Sequence, residues 1–212
     1  MNAVPAALDF THRFIPATGK AVADARTILL LHGTGGNEHD LIDLGKSLAP
    51  DANFLSPRGK ISEHGMPRFF RRLAEGIFDE ADLIFRTHEL ADFIIEAASN
   101  YGFDPAKVTA VGYSNGANIA AGLLLLRPEI LHGAVLLRAM VPLIPDKSPD
   151  LTGRQILLSS GTSDPILPIE NARRLAGMFR DAGADLTFNE LNAGHQLTQA
   201  DVENARTWLS DQ

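Results

Sequence analysis

The chain has 212 residues, 45% of them hydrophobic, 21% charged and none cysteine, and its formal net charge is −7 (19 Lys and Arg against 26 Asp and Glu). These values suit one compact domain with a sizeable core and exclude a disordered polyelectrolyte, a disulfide scaffold, a cysteine nucleophile and cysteine-bound zinc or iron–sulfur centres. The acidic balance disfavours nucleic acid or an anionic membrane as partner.

In chain order, the opening MNAVPAALDFTHRF lacks the basic start and apolar run of a secretion signal, so a cytoplasmic protein is expected. Apolar runs at 10–16, 27–32 and 53–56 are predicted strands. Segment 57–81 fits neither structural period. It carries Gly59, Gly65, Pro67 and Gly76, with Phe69 and Phe70 among arginines, and is expected to be a pocket-lining loop. A helix over 82–99 places Leu83, Leu90, Phe93, Ile94 and Ala97 on one stripe. A strand at Val108–Tyr113 then runs into a helix at Asn115–Leu126 that is apolar nearly all round and stopped by Pro128. Its most apolar part, 119–126, is far shorter than the roughly 20 residues a bilayer span needs, so no stable membrane insertion is expected. Strands at Gly133–Leu137, 155–160 and 186–191, with helices at 170–182 and 198–209, complete the pattern. Alternating strands and helices predict an α/β fold over 1–212, with a mostly parallel central sheet and helices on both faces.

The strand–helix junction reads Gly112-Tyr-Ser114-Asn-Gly116, a G-x-S-x-G pattern in the context that gives it meaning. Glycines flank the serine because the turn is too tight for side chains. The turn lifts the hydroxyl off the sheet and sets it at a helix N-terminus. Such a serine is a candidate nucleophile, and it needs a base and an acid that orients the base. In this arrangement the chain order is serine, acid, histidine. Of the two histidines after Ser114, His132 enters a strand ahead of any suitable acid. His195 lies in a loop between the last strand and the last helix. Asp164 follows strand 155–160, at the strand end where such sheets build their sites. Asp146, Asp150, Asp181 and Asp185 are less well placed.

Acyl transfer also needs donors for the developing oxyanion. One is expected from the Asn115 backbone and the other from the glycine-rich loop after strand 27–32, at Thr34. That loop matches neither phosphate-binding glycine pattern. His32 at its start is expected to brace it. The 7 histidines form no H-x-x-H cluster, so no metal is expected.

With these residues in place, the sequence resembles the carboxylesterase/phospholipase family of α/β-hydrolases, and within it the bacterial branch that includes hydroquinone-resistance-linked hydrolases. The resemblance rests on LLHGTGGNEHDL (30–41), SPRGKISEHGMPRFFRRLAEGIFDEADL (56–83), VGYSNGAN (111–118), LLRAMVPL (136–143), SGTSDPILP (160–168) and NAGHQL (192–197), and so spans nearly the whole chain. It implies the α/β-hydrolase fold and cofactor-free hydrolysis of carboxylic esters. By position it supports Ser114, Asp164 and His195 as catalytic residues and Thr34 and Asn115 as oxyanion donors. Residues 137–142 depart from the lysophospholipase and acyl-protein thioesterase relatives, which argues against a long acyl chain.

The expected partner is a small ester, and the chain is expected to be a monomer or homodimer. Phe69, Phe70, Met140, Val141 and Leu167 are candidate apolar pocket walls. Arg68, Arg71, Arg72 and especially Arg138, which directly follows an apolar strand, are candidates to attract an acidic or phenolic group. The alternatives are a thioesterase, lysophospholipase or peptidase on the same residues, or a non-catalytic ligand-binding relative.

Overall fold

The computed structural model describes residues 8–212. The first seven residues, part of the predicted 1–212 domain and of the stretch searched for a secretion signal, lie outside the described residues. The elements run β1 (His12–Ile15), β2 (Thr27–Leu31), α1 (Ile42–Leu48), β3 (Asn53–Pro57), β4 (Ile61–Glu63), β5 (Met66–Arg68), β6 (Arg72–Ala74), β7 (Ile77–Phe78) and α2 (Glu80–Tyr101). A 3₁₀ turn at Pro105–Lys107 leads to β8 (Val108–Tyr113), α3 (Asn115–Leu126), β9 (Gly133–Leu137), β10 (Gln155–Gly161), α4 (Ile169–Asp181), β11 (Asp185–Leu191) and α5 (Gln199–Ser210).

Seven strands form one sheet in the order β1-β3-β2-β8-β9-β10-β11. All neighbours are parallel except β1, which pairs antiparallel with β3 at one edge. The fold is therefore α/β with a mostly parallel sheet. Strand periodicity sorts the core into two layers. Leu29, Leu31, Ala110, Leu136 and Leu158 pack with residues of α2, α3 and α4 on one face. Ile28, Leu30, Val111, Val135 and Leu157 pack with α1 and α5 on the other. Strands covered on both faces cannot alternate in hydropathy, so β2 reads as the unbroken run TILLL and is wholly buried.

Two departures from the sequence reading concern short elements. Helix α1 has no counterpart in the sequence reading, because two turns give too little periodicity to detect. Segment 57–81 is not irregular: β4 pairs with β5 and β6 with β7 as two small antiparallel hairpins. Strands of two or three residues carry no readable alternation. Among the described residues, no helix is long and apolar enough to cross a membrane.

Helix α3 crosses the sheet so closely at its first turn that a Cβ on Gly116 would strike the Leu31 carbonyl. One on Gly112 would come within 2.6 Å of the Gly116 carbonyl oxygen. Gly116→Ala is expected to cost at least about 2 kcal/mol in urea denaturation, because backbone rather than a flexible side chain must yield. Gly177→Ala, inside α4 with nothing within 4 Å of the added methyl, is expected to gain about 0.5–1 kcal/mol in the same assay.

Candidate active site

The parallel strands deliver their C-terminal ends to one edge of the sheet, and the site is built there. Ser114 sits between β8 and α3 with φ 52° and ψ −113°, a positive-φ backbone that a side chain adopts only under constraint. Two bonds hold it: the Ser114 N–H donates to the Leu137 carbonyl at the end of β9, and the Asn118 N–H donates to the Ser114 carbonyl (both 2.9 Å). His195 lies in the loop between β11 and α5. Its Nε2 is 3.0 Å from Ser114 Oγ and its Nδ1 2.8 Å from Asp164 Oδ2. Asp164 follows β10, and its side chain is 1% exposed against 16% for His195. Its other oxygen accepts from the Ile166 and Leu167 N–H groups at 2.8 and 3.1 Å, which fixes the carboxylate plane. With Nδ1–H donated to the carboxylate, Nε2 presents its lone pair to the serine hydroxyl.

Thr34 and Asn115 border the same cleft. Asn115 is the first residue of α3, where backbone N–H groups have no intrahelical acceptor. Its side-chain Oδ1 accepts from the Phe69 N–H at 2.7 Å, while its buried Nδ2 makes no hydrogen bond among the described residues. The Thr34 loop is held at both ends. His32 Nε2 accepts from the Gly59 N–H at 3.0 Å, so its Nδ1–H donates to the Gly33 carbonyl at 2.7 Å. Burial pulls this imidazole below its ordinary pKa, in keeping with a neutral brace. Further along, buried Glu38 receives two hydrogen bonds from Arg58, at 2.5 and 2.7 Å.

The cleft holds about 370 Å³. Met140 and Leu167 line it, and so do Arg68 and Arg72. Phe69 and Phe70 do not: at 3% and 0% exposure they belong to the core under the hairpins. Phe78, packed edge-on to Phe70 at 4.9 Å, supplies the aromatic wall instead. Val141 packs on the core and Arg71 points to Asp79 and Asp82, both off the cleft.

The largest correction concerns Arg138. Its side chain is 0% exposed and cannot meet a substrate. It makes two parallel bonds to buried Asp201, at 2.7 and 2.8 Å, and donates to the Gly194 and Gln196 carbonyls on either side of His195, at 2.9 and 3.0 Å. A positive φ of 60° turns it inward. The sequence shows an arginine after an apolar strand but does not show which way the chain turns. Tyr113 was also missed. It lines the cleft, and its hydroxyl donates to the His195 carbonyl at 3.1 Å. Its position as a variable residue of the serine motif carries no signal. His132 is exposed beside a separate cavity of about 540 Å³ at the opposite strand ends, where the nearby Ser210 hydroxyl donates to the Thr207 carbonyl instead.

Residues 15–212 match the protein family described as Phospholipase/Carboxylesterase. The putative hydrolase MhqD of Bacillus subtilis (strain 168) is 50% identical over 184 residues, 87% of this chain and 92% of the relative. The Bacillus cereus carboxylesterase structure superposes with a TM-score of 0.90 at 47% identity, covering 94% of this chain and 92% of that one. A carboxylesterase from Mesorhizobium loti gives 0.87 at 30% identity, with 94% of each chain covered.

Two outcomes follow from the braces. Arg138→Met leaves the Asp201 carboxylate buried without its cation and is expected to cost about 3–5 kcal/mol in denaturant unfolding, whereas Arg138→Met with Asp201→Leu recovers part of that loss. For Glu38, the Arg58 hydrogen bonds lower the pKa from the ordinary 4.5 to about 2. The folded value lies below the unfolded one, so this contribution is complete above pH 4.5 and is lost as pH falls toward 2. Urea titrations across that window should show a flatter pH dependence for Glu38→Gln than for wild type.

Proposed function

The chain belongs to the phospholipase/carboxylesterase family of hydrolases, and from that premise we propose that it is a serine esterase working through an acyl-enzyme, with Ser114 as nucleophile, His195 as general base and Asp164 as the acid that orients it. The observation that carries this reading is the imidazole bridge: one ring within hydrogen-bond reach of a hydroxyl and of a carboxylate, 3.0 and 2.8 Å away. In this mechanism His195 Nε2 takes the Ser114 proton as Oγ attacks the ester carbonyl. Asp164 stabilises the imidazolium and does not itself take the proton. The Thr34 and Asn115 backbone N–H groups receive the oxyanion of the tetrahedral intermediate. The imidazolium then protonates the departing alkoxide. Water, deprotonated by His195, attacks the acyl-enzyme and frees the acid and Ser114 Oγ.

The cleft favours a short ester. Arg72 and the carboxylate of Glu75 stand along its wall, and a long hydrocarbon chain would desolvate them without offering a partner.

Ser114→Ala is expected to keep the wild-type fold by circular dichroism, lose at least about a thousandfold in kcat on a short-chain aryl ester, and escape labelling by a fluorophosphonate probe that marks the wild type. Wild-type turnover by the alanine variant would overturn the assignment.

A further inference from the structure

Two arginines on the cleft wall, Arg68 and Arg72, make their ion pairs with a single carboxylate, that of Glu63. Arg68, at the end of β5, is 3% exposed yet borders the cleft. Its guanidinium is held from three sides. Nε donates to the Phe70 carbonyl at 3.2 Å, Nη1 donates to Thr34 Oγ1 at 2.6 Å, and Nη1 stands 3.5 Å from Glu63 Oε2. Nη2 has no hydrogen-bond partner among the described residues and is not sealed from solvent, while Glu63 Oε2 is buried and makes no hydrogen bond. Arg72 borders the same cleft and claims the other Glu63 oxygen at 2.9 Å. Two guanidiniums therefore share one carboxylate. Glu63 stays ionised, its pKa lowered chiefly by the Arg72 hydrogen bond. Glu75, also on the cleft, is exposed, so solvent screens its opposing field. A largely buried cation, held in place through Nε and Nη1 with one N–H group left unpaired, is complementary to an anion.

Resting on the esterase reading above, we propose that Arg68, seconded by Arg72, selects esters that carry a carboxylate near the reacting carbonyl, with the substrate carboxylate accepting from Arg68 Nη2. Of the four arginines expected to attract an acidic group, Arg68 and Arg72 take the role and Arg138 does not. The carboxylate has two possible sources, the acyl part and the alcohol part of the ester.

Matched pairs separate these sources. Monomethyl succinate against its terminal amide probes the acyl side, and 4-acetoxybenzoate against 4-acetoxybenzamide probes the alcohol side. In at least one pair, wild-type kcat/KM should favour the carboxylate by about tenfold or more, the scale of one charge-assisted hydrogen bond. Arg68→Met should bring that ratio close to one. If Arg68 serves only to brace the Thr34 loop, the variant slows both members of a pair equally and the ratio stands, which overturns the proposal. Equal wild-type rates in both pairs, or faster amides, overturn it too. Inhibition of wild-type turnover by succinate against succinamide needs no variant: stronger inhibition by succinate supports the proposal and equal inhibition refutes it. Fluorophosphonate labelling of the wild type separates the two levels of failure. A labelled enzyme without carboxylate preference loses only this inference, and an unlabelled one loses the esterase reading as well.

Discussion

A charge pair closed off from solvent, Arg138 with Asp201, holds together the parts on which the site depends. Side-chain exposure is 0% for both. The Asp201 carboxylate also accepts from Ser159 on β10 and from the backbone and hydroxyl of Thr198, where it completes the capping box of α5. Burial pushes this carboxyl's pKa up, but its donors outweigh burial and hold it below the ordinary range. Apolar side chains of similar volume fill such a space at equal or better stability. They offer no donors, however, and would leave the Gly194 and Gln196 carbonyls without their partner. The neighbouring residue, Leu137, accepts the Ser114 N–H. Two adjacent residues at the end of β9 thus set the backbone of the serine and the backbone on both sides of the histidine.

Burial and neighbours sort the arginines around this edge into different roles. Arg138 is fully paired and serves the backbone. Arg71 is 57% exposed, so solvent screens its pairing with Asp79 and Asp82 from the guanidinium's side and the pairs contribute little. Arg68 is buried and only partly compensated. Burial, followed by the charge of Arg72, lowers its pKa, the mark of a cation with more desolvation than partnership. Residue type alone does not separate these cases. Separation requires knowing which direction lacks an acceptor.

That distinction explains what was legible in the sequence. Strands of five or more residues and helices of three turns or more announce themselves through composition, as at Val108–Tyr113, Asn115–Leu126 and Gly133–Leu137, whose bounds coincide with those expected. Ser114, Asp164 and His195 stand out because each ends or follows a strand in a loop whose composition is unusual. Contacts made by short or irregular stretches leave no such trace. The hairpins at 61–78 are too short for period, and they decide that Phe78 rather than Phe69 or Phe70 meets the cleft. The inward turn of Arg138 depends on a positive φ at a non-glycine residue, which no local pattern reports.

The hairpins are not an independent recognition module laid over a finished catalytic apparatus. The Phe69 N–H donates to Asn115 Oδ1, the Gly35 N–H donates to the Pro67 carbonyl, and Arg68 donates to Thr34 Oγ1. Both residues proposed to donate to the oxyanion, Thr34 and Asn115, are therefore hydrogen-bonded through their side chains to the segment that walls the cleft. Preorganised donors act only if they are already aimed when charge develops, and their aim here depends on the hairpin's seat. A change that reshapes the wall to admit another substrate consequently moves the donors too. Exchange of substrate classes on this scaffold then requires compensation at residues 34 and 115, whereas the serine–histidine–aspartate geometry, braced from the opposite side by Arg138 and Asp201, can stay as it is.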